Sequence, residues 1–237
     1  MNDQQTLDSF CVVLPAAGIG KRMSQTVPKQ YLKINGKCII EHTIERLLSH
    51  PQIGQVIVAL AEHDSIFSTL AISDNSNVIA VLGGKERSDS VLAGLKAMPE
   101  QTWILVHDAA RPCLTHEDID ALINFCLHND SGAILATPVR DTMKRSQANQ
   151  QIKHTEIRDN LWHAQTPQMF KHQQLTSSLE RALAEGLEIT DEASAMEFAS
   201  IDSFIVNGRE DNIKITRPSD LNLAAYILTQ QKEEACV

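Results

Sequence analysis

Five short apolar runs, separated by stretches of helical periodicity, constrain the fold of this chain more than any other feature. They are residues 10–15 (FCVVLP), 55–60 (QVIVAL), 78–82 (VIAVL), 103–106 (WILV) and 133–137 (AILAT). A strand apolar at nearly every position has both faces buried, as in a parallel sheet covered by helices. Helical patterns fall between the runs. Residues 39–49 put Ile40, Ile44, Leu47 and Leu48 on one face, and residues 88–98 and 117–128 read likewise. Strands alternating with helices demand crossover connections. The expected class is α/β: a single Rossmann-like domain over residues 1–237, with a mainly parallel twisted sheet flanked by helices. The length is enough for one such domain with its own core.

The alternation breaks after Thr137. Residues 138–165 are polar and irregular, with extended candidates only at 142–145 and 153–157. Compact domains seldom carry a long structureless loop. The segment is therefore expected to be a protruding β-arm that reaches a partner subunit. Helical patterns return at 173–185 and 191–199. The second has Thr190 as its expected N-cap and Asp191 and Glu192 in the first turn, where acidic groups suit the helix dipole. A short strand, 204–206, leads through NGREDNIKIT to a last helix near 219–231.

The formal net charge is -9. So acidic a chain is not expected to bind nucleic acid, and any bound anion must be met by cations gathered locally. No run approaches the length of a membrane span, and the N-terminus MNDQQTLDSF lacks the character of a secretion signal. No membrane association and a cytoplasmic location are expected. Cys11, Cys38, Cys113, Cys126 and Cys236 form no CxxC pair, so reduced thiols fit better than disulfides or a zinc site.

The first strand runs into LPAAGIGKRM and then SQTVPKQYL. Glycine lets backbone N–H groups approach an anion closely, although a bare tight turn would also use it. GxxxxGK[ST] is absent, and Met23 stands where GxGxxG needs a third glycine. What remains is a loop with backbone donors across residues 16–20, plus Lys21, Arg22 and Lys29. That set suits a triphosphate.

Further blocks follow: GGKERSDSVLAGL, HDAARP, PVRDTMK, LWHAQTPQ, ITDEASAME and DNIKITRPSDL. With GxG, RM and PKQ they resemble the sugar-phosphate nucleotidyltransferases. In this order and spacing the chain is similar to the methylerythritol phosphate cytidylyltransferase family of the non-mevalonate isoprenoid route. Lys85 departs from the acidic residues common there. The resemblance implies that Ala16, Ala17, Gly18 and Gly20 hold CTP, with Gly84 and Ser90 at the cytosine and Asp108 and Ala109 beside them. Arg87 is expected to buttress this loop, and Ser88 also reads as a helix N-cap. Asp108, Arg111, Thr142, Arg158, Thr166, Thr190 and Lys214 are implied for methylerythritol phosphate. Thr142 and Arg158 would act across a homodimer interface. Each site also has a plainer reading: a solvated surface pair at Arg22 and Lys29, an Asp–Arg pair fixing a loop at 108 and 111, and an outward lysine at 214.

The nucleophile in such a transfer is a phosphate oxygen, already anionic. No general base is needed, so His107 reads as a packed, hydrogen-bonded histidine. Catalysis is then positioning and charge neutralisation. Arg22, Lys29, Arg158 and Lys214 are the expected catalytic cations. Mg²⁺ is expected mainly through the CTP phosphates, with no protein metal ligand assigned. Two alternatives remain at this level: a relative using ribitol 5-phosphate, and a non-catalytic nucleotide-binding protein on the same scaffold.

Overall fold

A computed structural model describes residues 9–18, 27–99 and 101–234. Strand β1 (Phe10–Pro15) is followed by a hairpin of β2 (Lys33–Ile34) and β3 (Lys37–Cys38). Helix α1 (Ile39–Leu48), β4 (Ile53–Leu60), β5 (Val78–Leu82), α2 (Arg87–Lys96) and β6 (Trp103–Val106) come next. Then follow α3 (His116–Asn129), β7 (Ala133–Pro138), β8 (Lys144–Ser146), β9 (Ile152–Thr155) and β10 (Trp162–Lys171). Helices α4 (His172–Ala184) and α5 (Glu192–Phe198), strand β11 (Phe204–Asn207) and helix α6 (Pro218–Glu234) complete the described chain.

Seven strands form one sheet in the order β11-β7-β10-β6-β1-β4-β5. Neighbours run parallel except β10, which is antiparallel to both β6 and β7. The expected α/β class with a mainly parallel sheet is what the chain forms. Successive strand side chains point to opposite faces, and β1 shows the consequence. Val12 and Leu14 pack with Ile40, Ile44 and Leu47 of α1 and Leu122 of α3. Cys11 and Val13 pack on the other face with Val91 and Leu95 of α2 and Leu175 and Leu179 of α4. Burying each such aliphatic side chain stabilises by about 1.5–3 kcal/mol relative to leaving it exposed. Among the described residues no helix is long and apolar enough to cross a membrane.

Four local expectations are corrected. The run 78–82 does not have both faces buried: β5 is the edge of the sheet, with Leu82 61% exposed, because no further strand lies beyond it among the described residues. Strand β10 departs from the expected arm of residues 138–165, since Trp162 onward lies in the sheet. Pro167 and the polar Gln165 and Gln168 hide the strand, since proline cannot donate to a ladder. A register shift between Ala164 and Gln168 accommodates it. The N-cap of α5 is Asp191, not Thr190, because the Asp191 carboxylate accepts the Ser194 N–H at 3.0 Å. The N-cap of α2 is Glu86 rather than Ser88, and the Asp89 carboxylate accepts the Glu86 N–H at 3.0 Å. The arm itself contains the exposed antiparallel pair β8–β9.

Candidate active site

The carboxyl ends of β1, β4, β5 and β6 face one cleft of about 960 Å³, as ligand sites on open α/β sheets do. Ala16, Ala17 and Gly18 after β1 line it, with Gly83, Gly84 and Lys85 after β5 and Asp108 and Ala109 after β6. Lys29, Gln30, Ser90 and Lys214 close it. A Cβ on Gly83 would stand 2.9 Å from both the Ala17 Cβ and the Ser90 Oγ, and one on Gly84 only 2.2 Å from the Asp89 Cβ. These two glycines let the β5 loop lie flat against α2. The Gly84 N–H donates to the Ser90 Oγ at 3.1 Å.

Ala16 departs from its expected part in one respect. Its N–H donates to the Ala59 carbonyl at 2.8 Å, extending the β1–β4 ladder, so it is not free to donate to a phosphate. The Ala16 carbonyl accepts from the buried Gln30 amide at 2.7 Å, which ties the PKQ turn to the opening loop. Nothing local in the sequence marks Gln30 for this tie, because its partner is a backbone carbonyl 14 residues away.

A smaller cleft of about 250 Å³ adjoins the first. Arg111, Thr166, Gln168 and Thr190 line it, and it shares Arg87, Asp108 and Lys214 with its neighbour. Asp108 is the hub of that shared wall. Its carboxylate accepts from Arg87 Nε at 3.1 Å and Arg111 Nε at 3.5 Å, and Lys214 Nζ stands 2.8 Å away. Burial opposes ionisation, but Arg87, Lys214 and Arg111 hold Asp108 well below the usual carboxylate range. Arg87 in turn grips the buried Glu192 through both terminal nitrogens, at 2.6 and 3.1 Å. Burial works against its charge, yet Glu192 and Asp108 hold it well above the usual arginine value. Glu192 went unassigned because a first-turn acid is already explained by the helix dipole. Nothing local marks it as the partner of a residue 105 positions away.

Arg111 spends its other donors on backbone, Nη1 on the Asn212 carbonyl at 2.6 Å and Nη2 on that of Ala164 at 3.4 Å. It therefore clamps three chain segments around the smaller cleft. His107 is fully buried behind it, as the packed-histidine reading expects.

Of the residues expected to act, Ala16, Ala17, Gly18, Lys29, Gly84, Ser90, Asp108, Ala109 and Lys214 meet in the larger cleft. Arg111, Thr166 and Thr190 meet in the smaller, with Asp108 and Lys214 on its shared wall. Thr142 and Arg158 line neither; both are exposed on the arm, where Arg158 donates to the Arg140 carbonyl. Gly20, Lys21 and Arg22 lie outside the described residues.

The family model "IspD: 2-C-methyl-D-erythritol 4-phosphate cytidylyltransferase" matches residues 10–230. The 2-C-methyl-D-erythritol 4-phosphate cytidylyltransferase of Vibrio vulnificus (strain YJ016) is 55% identical over 233 residues, 97% of this chain and 98% of that protein. The protein of the same name from Shewanella amazonensis is 55% identical over 227 residues, 95% of each. The crystal structure of the Francisella tularensis 2-C-methyl-D-erythritol 4-phosphate cytidylyltransferase superposes with a TM-score of 0.81 at 32% identity, covering 93% of this chain and 100% of that one.

Proposed function

The chain belongs to the 2-C-methyl-D-erythritol 4-phosphate cytidylyltransferase family, and on that premise we propose how its two clefts divide the work. The larger takes CTP and the smaller takes 2-C-methyl-D-erythritol 4-phosphate. They are joined as 4-CDP-2-C-methyl-D-erythritol with release of pyrophosphate, in isoprenoid precursor biosynthesis. The observation that carries this division is the shared wall. Asp108 and Lys214 face both clefts, so a phosphate in one lies beside a triphosphate in the other.

Gly18 supports the placing of CTP. Among the described residues nothing stands within 4 Å of where its Cβ would be, and its φ is not left-handed. Among the described residues neither packing nor a left-handed backbone accounts for glycine here, and close approach of a ligand would. The acceptor's phosphate oxygen attacks the α-phosphorus in line, and Lys29 and Lys214 offset the gathering charge. Mg²⁺ fits as a passenger of the nucleotide. Both Asp108 oxygens already face cations, and among the described residues no cluster of three or more His, Cys, Asp or Glu can hold a metal. When bound, it would supply charge neutralisation at the triphosphate oxygens.

The homodimer belongs to the same proposal. Thr142 and Arg158 complete the acceptor cleft of the partner subunit. The arm supports this: Ile152 and Ile157 are 62% and 82% exposed on it, as an uncovered interface would leave them. We place the reaction in the cytoplasm. The deciding experiment is Mg²⁺-dependent pyrophosphate release from CTP, with methylerythritol phosphate and ribitol 5-phosphate compared as acceptors. Release with the first alone is expected. Release with ribitol 5-phosphate alone would keep the chemistry and change the acceptor, and release with neither would leave a binding protein.

A further inference from the structure

Two groups flank the Thr166 hydroxyl in the smaller cleft. The Asp108 backbone N–H points at its oxygen from 3.0 Å, and an N–H can only donate. The His107 Nδ1 lies 3.0 Å away on another side. The opposite ring nitrogen, His107 Nε2, is 3.1 Å from the Arg111 carbonyl, which can only accept. The Nε2 therefore carries the ring proton. A neutral ring then leaves a lone pair at Nδ1, and the Thr166 hydroxyl donates to it. Full burial favours that neutral ring and pushes His107 down to about 4.

A threonine hydroxyl has one proton and two lone pairs. Here the proton is committed to His107 and one lone pair to Asp108. The remaining lone pair is what the residue has to offer a ligand. The same imidazole holds the Arg111 carbonyl, and the Asn212 amide holds the Thr166 carbonyl at 2.9 Å, so neither the hydroxyl nor its backbone is free to turn.

We infer that His107 is a positioning residue of the acceptor cleft, fixing the Thr166 hydroxyl as an acceptor that selects a hydroxyl-donating polyol phosphate. The inference rests on the reading that the smaller cleft takes the acceptor. The alternative is a histidine that only packs, whose loss would lower stability without favouring one substrate.

The test is steady-state pyrophosphate release by the full chain, with acceptor and CTP varied separately, for His107→Asn, His107→Gln and Thr166→Val. Asparagine's amide oxygen replaces Nδ1, and glutamine's amide nitrogen replaces Nε2. His107→Gln is expected to raise the KM for the acceptor roughly tenfold, the scale of one hydrogen bond, with the KM for CTP unchanged. His107→Asn should stay within about threefold of native, because it keeps the Thr166 partner. Equal effects of the two variants, or parallel changes in both KM values, would overturn the inference. If Thr166→Val raises the acceptor KM and His107→Gln does not, the inference falls and the cleft assignment stands. If Thr166→Val leaves the acceptor KM at its native value, the assignment falls and takes the inference with it. Nitrogen-15 NMR of the native His107 ring gives a reading independent of any variant's folding. A neutral Nε2–H tautomer near pH 7 is expected, and an Nδ1–H tautomer or an imidazolium would overturn the inference.

Discussion

Asp108 is one buried carboxylate facing three cations, and its neighbours do not depend on it equally. Arg87 keeps Glu192 if Asp108 is lost, whereas Arg111 keeps only backbone carbonyls. Asp108→Asn is therefore expected to cost about 3–5 kcal/mol of stability in denaturant unfolding, the scale of an orphaned buried charge. Lys214 is half-buried, and Asp108 retains two arginines without it. Lys214→Ala should leave unfolding within about 1 kcal/mol of native while lowering kcat by roughly 10²–10³-fold. Lys29→Ala and Arg22→Ala should behave likewise, and near-native turnover in either would remove that residue from the mechanism. His107 gives a pH dependence. Its folded value, about 4, lies below an ordinary value of about 6.5. Between the two the unfolded chain binds a proton at this ring that the folded chain does not, so stability falls as pH drops through that window. From pH 7.5 to 5 the loss from this ring should be about 2 kcal/mol. Over the same range His107→Asn should lose about 2 kcal/mol less unfolding free energy than the native chain.

Helices and strands meet the site through close contacts. Gly94 of α2 crosses β1 so tightly that a Cβ would stand 2.5 Å from the Val13 Cγ1. Alanine would gain about 1 kcal/mol of helix propensity there. Overpacking against a buried strand costs about 1–3 kcal/mol. The clash is with a central strand that cannot shift cheaply, so Gly94→Ala should lower the unfolding midpoint. A raised midpoint would mean that α2 moves more freely than its contacts suggest. Strands apolar at every position were legible because their pattern is local and unambiguous. Strand β10 was not, because its polar residues have partners far away in sequence: Gln168 bonds Asp191, and Thr166 bonds His107. The hairpin of β2 and β3 did carry a signal. Asn35 and Gly36 both have positive φ, 50° and 86°, as an Asn-Gly hairpin turn requires.

In the whole molecule, the arm sits apart from the clefts of its own chain. Pro138 pairs with Trp162, so the two ends of the arm already lie side by side. Replacing residues 140–160 by a short turn should therefore spare the sheet and yield a folded monomer without activity. A dimer mass for that variant would remove the arm from the interface. Complementation tests the sharing of sites directly. A mixture of Arg158→Ala and Lys214→Ala subunits should regain activity, because half the sites in a mixed dimer would combine one intact body with one intact arm. Activity no higher than that of either variant alone would place Arg158 in its own subunit's chemistry.

The sequence by itself determined the α/β class, the position of the opening loop and most of the cleft residues. Those follow from periodicity, from glycine at strand ends and from the ordered blocks that resemble a family. Only the tertiary structure decided that Asp108 is shared between two clefts, that Glu192 holds Arg87, and that His107 orders the Thr166 hydroxyl. Each of these depends on which polar atoms face one another in a buried, low-dielectric setting. No local pattern encodes that choice: Arg87 and Glu192 lie 105 residues apart, and Asp108 and Thr166 lie 58 apart.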